Sequence, residues 1–202
     1  MRVRGIVLAA GSSRRMGSPK ALLVVDGRQV IERVVAALVC GGVDEVLVVT
    51  GGEHSAEVRA VAELLPYAVK IVKNPDPTEG PVTSIRAGLR VDGCPDLVLI
   101  HPVDVAGIEP VDVKALIDQS GVAAEFDAWI PSVGGRRAHP VLVRREIAMR
   151  LLEEGGPPHL RALLREAEIR VHHVEMNAPR LRQDLDEPED VQRLERLIRE
   201  RG

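Results

Sequence analysis

The stretch LAAGSSRRMGSPK, residues 8–20, follows an apolar run with a small-residue turn and places Arg14, Arg15 and Lys20 within seven positions. Glycine and serine leave backbone amides open to an approaching anion, and the cations add charge to the same loop. Such a loop suits a polyphosphate. The preceding residues, Val3–Ala10, read as a β-strand. The loop then lies beyond a strand's carboxyl end, where open α/β sheets bind their ligands. Two other phosphate loops are excluded. A Walker A loop needs glycine, four residues, then Gly-Lys-Ser/Thr; here five residues separate Gly11 from Gly17, and Ser18-Pro19-Lys20 follows. No GxGxxG dinucleotide turn is present. The alternative reading is a solvated loop with incidental charge.

Outward from this loop, short β-branched runs alternate with helical patterns. Val3–Ala10, Glu45–Thr50, Val69–Val72, Leu97–His101 and Ala128–Pro131 read as strands, each bounded by Gly, Pro or Asp. Ile31, Val34, Val35 and Leu38 recur on one helix face, as do Val58, Val61, Ala62 and Leu65, and Val113, Leu116 and Ile117. Gly41-Gly42 and Gly88 stand where helix ends are expected. The alternation predicts an α/β fold: three layers, with a doubly wound, mainly parallel sheet and helices on both faces. Ala138–Val143 reads as a further strand, Arg144 to about Glu154 as a helix, and IRVHHV, residues 169–174, as another strand. A short amphipathic helix is expected after GGPP, residues 155–158, and a closing helix over 188–201. No linker or repeat divides residues 1–202, which read as one domain.

Composition narrows the function. A net charge of −3 and 1% aromatic residues leave neither the basic stripe nor the stacking platforms of a nucleic-acid binder. Cys40 and Cys94 have no metal-ligand or disulfide spacing, which suits a reduced, cytoplasmic setting. No stretch approaches the roughly 18 apolar residues of a membrane span. Neither nucleic acid nor membrane is therefore an expected partner.

Three further segments carry polar residues suited to chemistry. Asp104, in LVLIHPVDVAG, lies just past a strand at the sheet edge that bears the first loop, and a carboxylate there suits Mg²⁺. His101, ending the strand, reads as a packed structural histidine. In LRQDLDEPEDV, residues 181–191, Asp184 and Asp186 precede a helix starting near Pro188, and in an extended segment they share a face. Glu189 and Asp190 are accounted for by the helix N-terminus. GGRRAHPVLV, residues 134–143, offers Arg136, Arg137 and His139 to an anionic second substrate, or forms a solvated hairpin. His172 and His173 are adjacent in a strand, point to opposite faces, and are read as structural.

As an ordered set, these segments resemble nucleotidyltransferases of the glycosyltransferase-A-like fold. The pattern is most similar to the molybdenum cofactor cytidylyltransferases and guanylyltransferases. LAAGSSRRMGSPKALL resembles the family signature, NPDPTEGPVTSIRAGL the base-recognition segment, LVLIHPVDVAG the metal-aspartate strand, and DLDEPEDV the closing motif. The resemblance implies that Arg15 and Lys20 act on the triphosphate. It places Leu8, Ala10, Gly11, Ser12, Ser13, Asn74, Gly80 and Ser84 around the nucleotide. Asp104 and Asp186 would hold Mg²⁺, and Arg137 and His139 would meet the acceptor.

The implied reaction is attack by an acceptor phosphate on the α-phosphorus of a nucleoside triphosphate, CTP or GTP favoured, with release of pyrophosphate. The acceptor is a phosphorylated small molecule such as molybdopterin, with a molybdoenzyme or chaperone as a protein partner. The alternatives are a sugar- or alditol-phosphate nucleotidyltransferase and a catalytically silent nucleotide-binding regulator. The chain departs from the family pattern at Val105-Ala106, at Ala138 and at Glu187, so the acceptor side is the more altered.

Overall fold

A computed structural model describes residues 1–11 and 17–200. Its frame is an eight-stranded mixed sheet covered by helices on both faces. Strand β1 (Val3–Ala9) is central, flanked in parallel by β4 (Glu45–Thr50) and β6 (Leu97–Pro102), and β5 (Val69–Lys73) forms one edge beyond β4. On the other side β9 (Val141–Arg144) runs antiparallel between β6 and β7 (Ala128–Val133). Strand β10 (Val171–Glu175) pairs in parallel with β7 at the second edge, and β8 (Arg136–Arg137) folds back on β7. A small hairpin, β2 (Val24–Val25) and β3 (Arg28–Gln29), stands apart.

The alternation of side chains along each strand divides the core in two. Val3 and Val7 of β1, Val46 and Val48 of β4, and Leu97 and Leu99 of β6 face one side. There they meet α1 (Val30–Cys40), α2 (Ser55–Glu63), α4 (Pro110–Val122) and α7 (Pro188–Arg199). Ile6, Leu47, Val49, Val98 and Ile100 face the opposite side, against α3 (Pro81–Leu89), α5 (Arg145–Met149) and α6 (Leu160–Leu163). Almost every one of these side chains is fully buried, so both faces are covered, as a parallel sheet requires.

The structure corrects several boundaries. The expected strand Ala138–Val143 begins only at Val141, because Pro140 has no amide to donate. The expected helix from Arg144 to Glu154 is one α-helical stretch, α5, followed by a 3-10 turn over Arg150–Leu152, and Gly155 turns the chain with positive φ. Helix α3 was expected only by its end, at Gly88, with no helix face read before it. Its signals are present nonetheless: Pro81 at the first turn, Gly80 before it at φ 92°, and Val82, Ile85 and Leu89 on one face. Gly88 lies one residue inside α3 and packs on Ile6. Among the described residues no helix is long and apolar enough to cross a membrane.

A buried ion cluster ties the C-terminal segment to the sheet. Helices α4 and α7 start on the same tetrapeptide pattern, Glu109-Pro110-Val111-Asp112 and Glu187-Pro188-Glu189-Asp190. In each the aspartate accepts the amide of the preceding glutamate, at 2.9 Å in both cases, closing the helix start. Arg180, 1% exposed, donates to Glu109 at 2.6 Å and lies 2.9 Å from Asp112. Gly107 permits this contact, since a Cβ there would stand 2.5 Å from the Arg180 carbonyl oxygen. The Leu185 amide then donates to the Asp104 carbonyl at 3.1 Å, so the two aspartate-bearing segments are stitched side by side.

Candidate active site

The parallel strands β1, β4 and β6 end at one edge of the sheet, and their following residues enclose a cavity of about 530 Å³. Leu8, Ala10, Gly11, Lys20, Gly80, Ser84, Asp104 and Asp186 all line it. The structure thus brings together most of the residues expected around a nucleotide. Ser12, Ser13, Arg14 and Arg15 lie outside the described residues.

Asn74 is placed differently from the expectation that it lines the base pocket. It is 1% exposed and sits behind the cavity wall. Its amide nitrogen donates to the hydroxyls of Thr83 and Ser84, both at 2.9 Å, and its carbonyl oxygen accepts the Asp76 amide at 2.9 Å. All of its side-chain polar atoms serve to fold the 76–84 segment, which carries Gly80 and Ser84 to the wall.

Lys20 is the electrostatic centre of the cavity. Its ammonium donates to Asp104 at 2.9 Å and to Asp186 at 2.7 Å, bridging residues 84 and 166 positions away. Burial disfavours the charged form, but hydrogen bonds to Asp186 and Asp104 and the charges of both outweigh it, holding the lysine above its ordinary pKa. For Asp184 the charge of Lys20 is outweighed. Burial, and then the charges of Asp104 and Asp186, push its carboxyl above the usual range. The two carboxylates that converge on Lys20 present oxygen donors to one point already holding a cation, a donor set that fits a hard divalent ion. No cluster of three or more His, Cys, Asp or Glu suited to a metal occurs among the described residues. The remaining ligands would have to come from phosphate and water.

A second cavity of about 950 Å³ adjoins the first and shares Leu8, Gly80, Pro81 and Pro102 with it. Arg137 and His139 line this one. Desolvation lowers the His139 pKa against the opposing charge of Asp104, so its ring faces the cavity neutral at pH 7, with Nδ1 buried and unpartnered among the described residues. His172 packs on Phe126 at 4.8 Å between ring centroids, while His173 lies 3.3 Å from Arg137.

His101 is fully buried, edge-on to His139 at 6.5 Å, and its Nε2–H donates to the Val105 carbonyl at 3.0 Å. That bond closes the turn carrying Asp104. Burial, with a smaller contribution from His139, lowers its pKa from 6.5 to about 3. Between those values the unfolded chain binds a proton that the folded chain does not. Stability is therefore lost as pH falls through this window, by about 1.4 kcal/mol per pH unit. Urea unfolding at pH 7.5 and pH 5 should show a wild-type loss that His101→Phe reduces by about one proton's worth; equal losses would contradict the assignment.

Sequence reasoning missed His54, which lines the first cavity beside Val58 and Pro77. It follows the strand Glu45–Thr50, so the strand-end argument that found Asp104 applies to it equally. Arg180 was also missed, as its isolated position in the chain carries no motif.

Residues 5–174 match the family described as the MobA-like NTP transferase domain. The chain belongs to this family. As a MobA-like protein it is a nucleotidyltransferase, and its α/β fold is that of the family's solved relatives. A nucleotidyl transferase from Methanothermobacter thermautotroptrophicus superposes with a TM-score of 0.78 at 26% identity, covering 98% of this chain and 99% of that one. A probable molybdenum cofactor guanylyltransferase of Bacillus cytotoxicus is 33% identical over 67% of this chain and 64% of its own length, just under two thirds. Nicotine blue oxidoreductase of Paenarthrobacter nicotinovorans is 30% identical over 95% of this MobA-like chain and 96% of its own length.

Proposed function

We propose that this MobA-like protein transfers a nucleoside monophosphate, from CTP or GTP, to a phosphorylated small molecule such as molybdopterin, with Mg²⁺ as cofactor and pyrophosphate as leaving group. The observation that carries this reading is the convergence of Lys20, Asp104 and Asp186 at the mouth of the strand-end cavity. Asp104 and Asp186 would hold the ion, which when bound neutralises charge on the phosphates. Lys20, displaced from the carboxylates, is long enough to follow the polyanion and hold its phosphates. Gly11, with Ser12 and Ser13 beside it in the chain, supplies amides for the same phosphates, and Arg15 adds charge. Gly80 and Ser84 border the space a base would fill. The shared wall at Leu8, Gly80 and Pro102 brings an acceptor in the second cavity against the nucleotide, as in-line attack demands. An acceptor phosphate is already anionic at neutral pH, so the reaction needs no general base.

Thermal unfolding with CTP, GTP, UTP, ATP or dTTP, each with and without Mg²⁺, tests this. One nucleotide should raise the midpoint selectively and only with the metal, by mass action on the folded state. A metal-independent shift without pyrophosphate release would favour a silent binder. The full-length alignment with a named oxidoreductase favours a second reading, a redox enzyme on the same scaffold. Reduction of an electron-accepting dye by an added electron donor, with no nucleotide shift, would favour it instead.

A further inference from the structure

The second cavity has a lining that discriminates among acceptors. Its floor is Ile100, Ile130 and Val141 from the sheet, and its walls include Ile85 from α3 with Leu160 and Leu164 from the α6 segment. Among the described residues that line it there is no Ser, Thr, Asn, Gln, Asp or Tyr side chain. The charged groups are Arg137, Arg161 and Arg165 against the single carboxylate of Glu79. Leaving the two histidines aside, the cavity carries a net of two positive charges set into an apolar shell. Arg161, in α6 (Leu160–Leu163), and Arg165, in the turn just past its C-cap Leu164, both line the cavity.

A hydroxylated body would lose water in such a shell and find few side chains to replace it, weakening binding by about tenfold or more for each unpaired group. An apolar body gains from the same burial, and a phosphate is matched by the arginines. We infer that the acceptor is an organic phosphate with an apolar, sparsely hydroxylated body, held through Arg161 and Arg165, and not a sugar or alditol phosphate. This rests on the nucleotidyl-transfer reading for the word acceptor; the binding preference itself does not.

The test therefore uses nucleotide-free protein and two probes of like charge, 1-naphthyl phosphate and sorbitol 6-phosphate, with titration calorimetry as the readout. Naphthyl phosphate should bind about tenfold or more tightly than sorbitol phosphate. The double variant Arg161→Ala/Arg165→Ala should weaken it by about tenfold or more, while its nucleotide-induced thermal shift stays unchanged. Both arginines are exposed, so the variant keeps its fold. Equal binding of the two probes, no binding of naphthyl phosphate, or an unaffected double variant would each overturn the inference. Should the nucleotide panel fail while naphthyl phosphate binds through the arginines, the transfer reading falls and the pocket assignment stands.

Discussion

Asp104→Ala is expected to reduce pyrophosphate release by about 10²–10³-fold or more while leaving the folded structure in place. The carboxylate faces the cavity, where it accepts from Lys20, and the backbone contact of the turn is made by the carbonyl, which accepts the Leu185 amide whatever the side chain. The loss should fall on turnover and on the metal dependence of nucleotide binding together. A variant with wild-type turnover would remove Asp104 from the metal assignment. Circular dichroism and a melting midpoint measured beside the activity separate this from unfolding.

Arg180→Met carries the largest expected effect on stability. The guanidinium is the cation facing the buried carboxylate of Asp112 and the partly buried Glu109. Breaking a buried pair from one side leaves an uncompensated charge, at a cost of about 3–5 kcal/mol. Burial already pushes the Asp112 carboxyl above its ordinary range, with Arg180 opposing it. Without the arginine its folded pKa rises further above the unfolded value. Its contribution is then most favourable when protonated, and is lost as pH rises through the raised pKa. The variant should accordingly regain part of its stability on acidification, and Arg180→Met/Asp112→Asn should recover much of the loss at pH 7. Chemical denaturation of the three proteins at pH 7 and pH 5 checks both. Additive losses in the double variant would mean that the two side chains do not act as a pair.

The strands β1, β4 and β6 were legible because each carries a short apolar run, Ile6–Ala10, Val46–Val49 and Leu97–Ile100, and the strand-end argument led from the first to Gly11 and from the last to Asp104. Lys20 was legible as a charge near that edge and Asp186 as a ligand candidate before the last helix, but their contact was not, since 166 positions separate them and the segments meet through tertiary contacts such as the Arg180 anchor and the Leu185 bond to Asp104. Helix α3 was obscured because small residues, Ser84, Ala87 and Gly88, sit among its apolar positions, so the periodicity looks weak where close packing on Ile6 is strongest. Asn74 was named through the family resemblance alone. Its direction was not legible, because inward and outward amides read identically in sequence.

The bridge made by Lys20 has an entropic consequence. The closing segment around Asp186 and the turn around Asp104 are drawn to one ammonium group, so their conformational freedom is given up on folding. A polyanion entering the cavity has no need to order either segment again. On the proposed reading it would exchange one set of charge partners for another, and the part of its affinity otherwise spent on ordering would be retained.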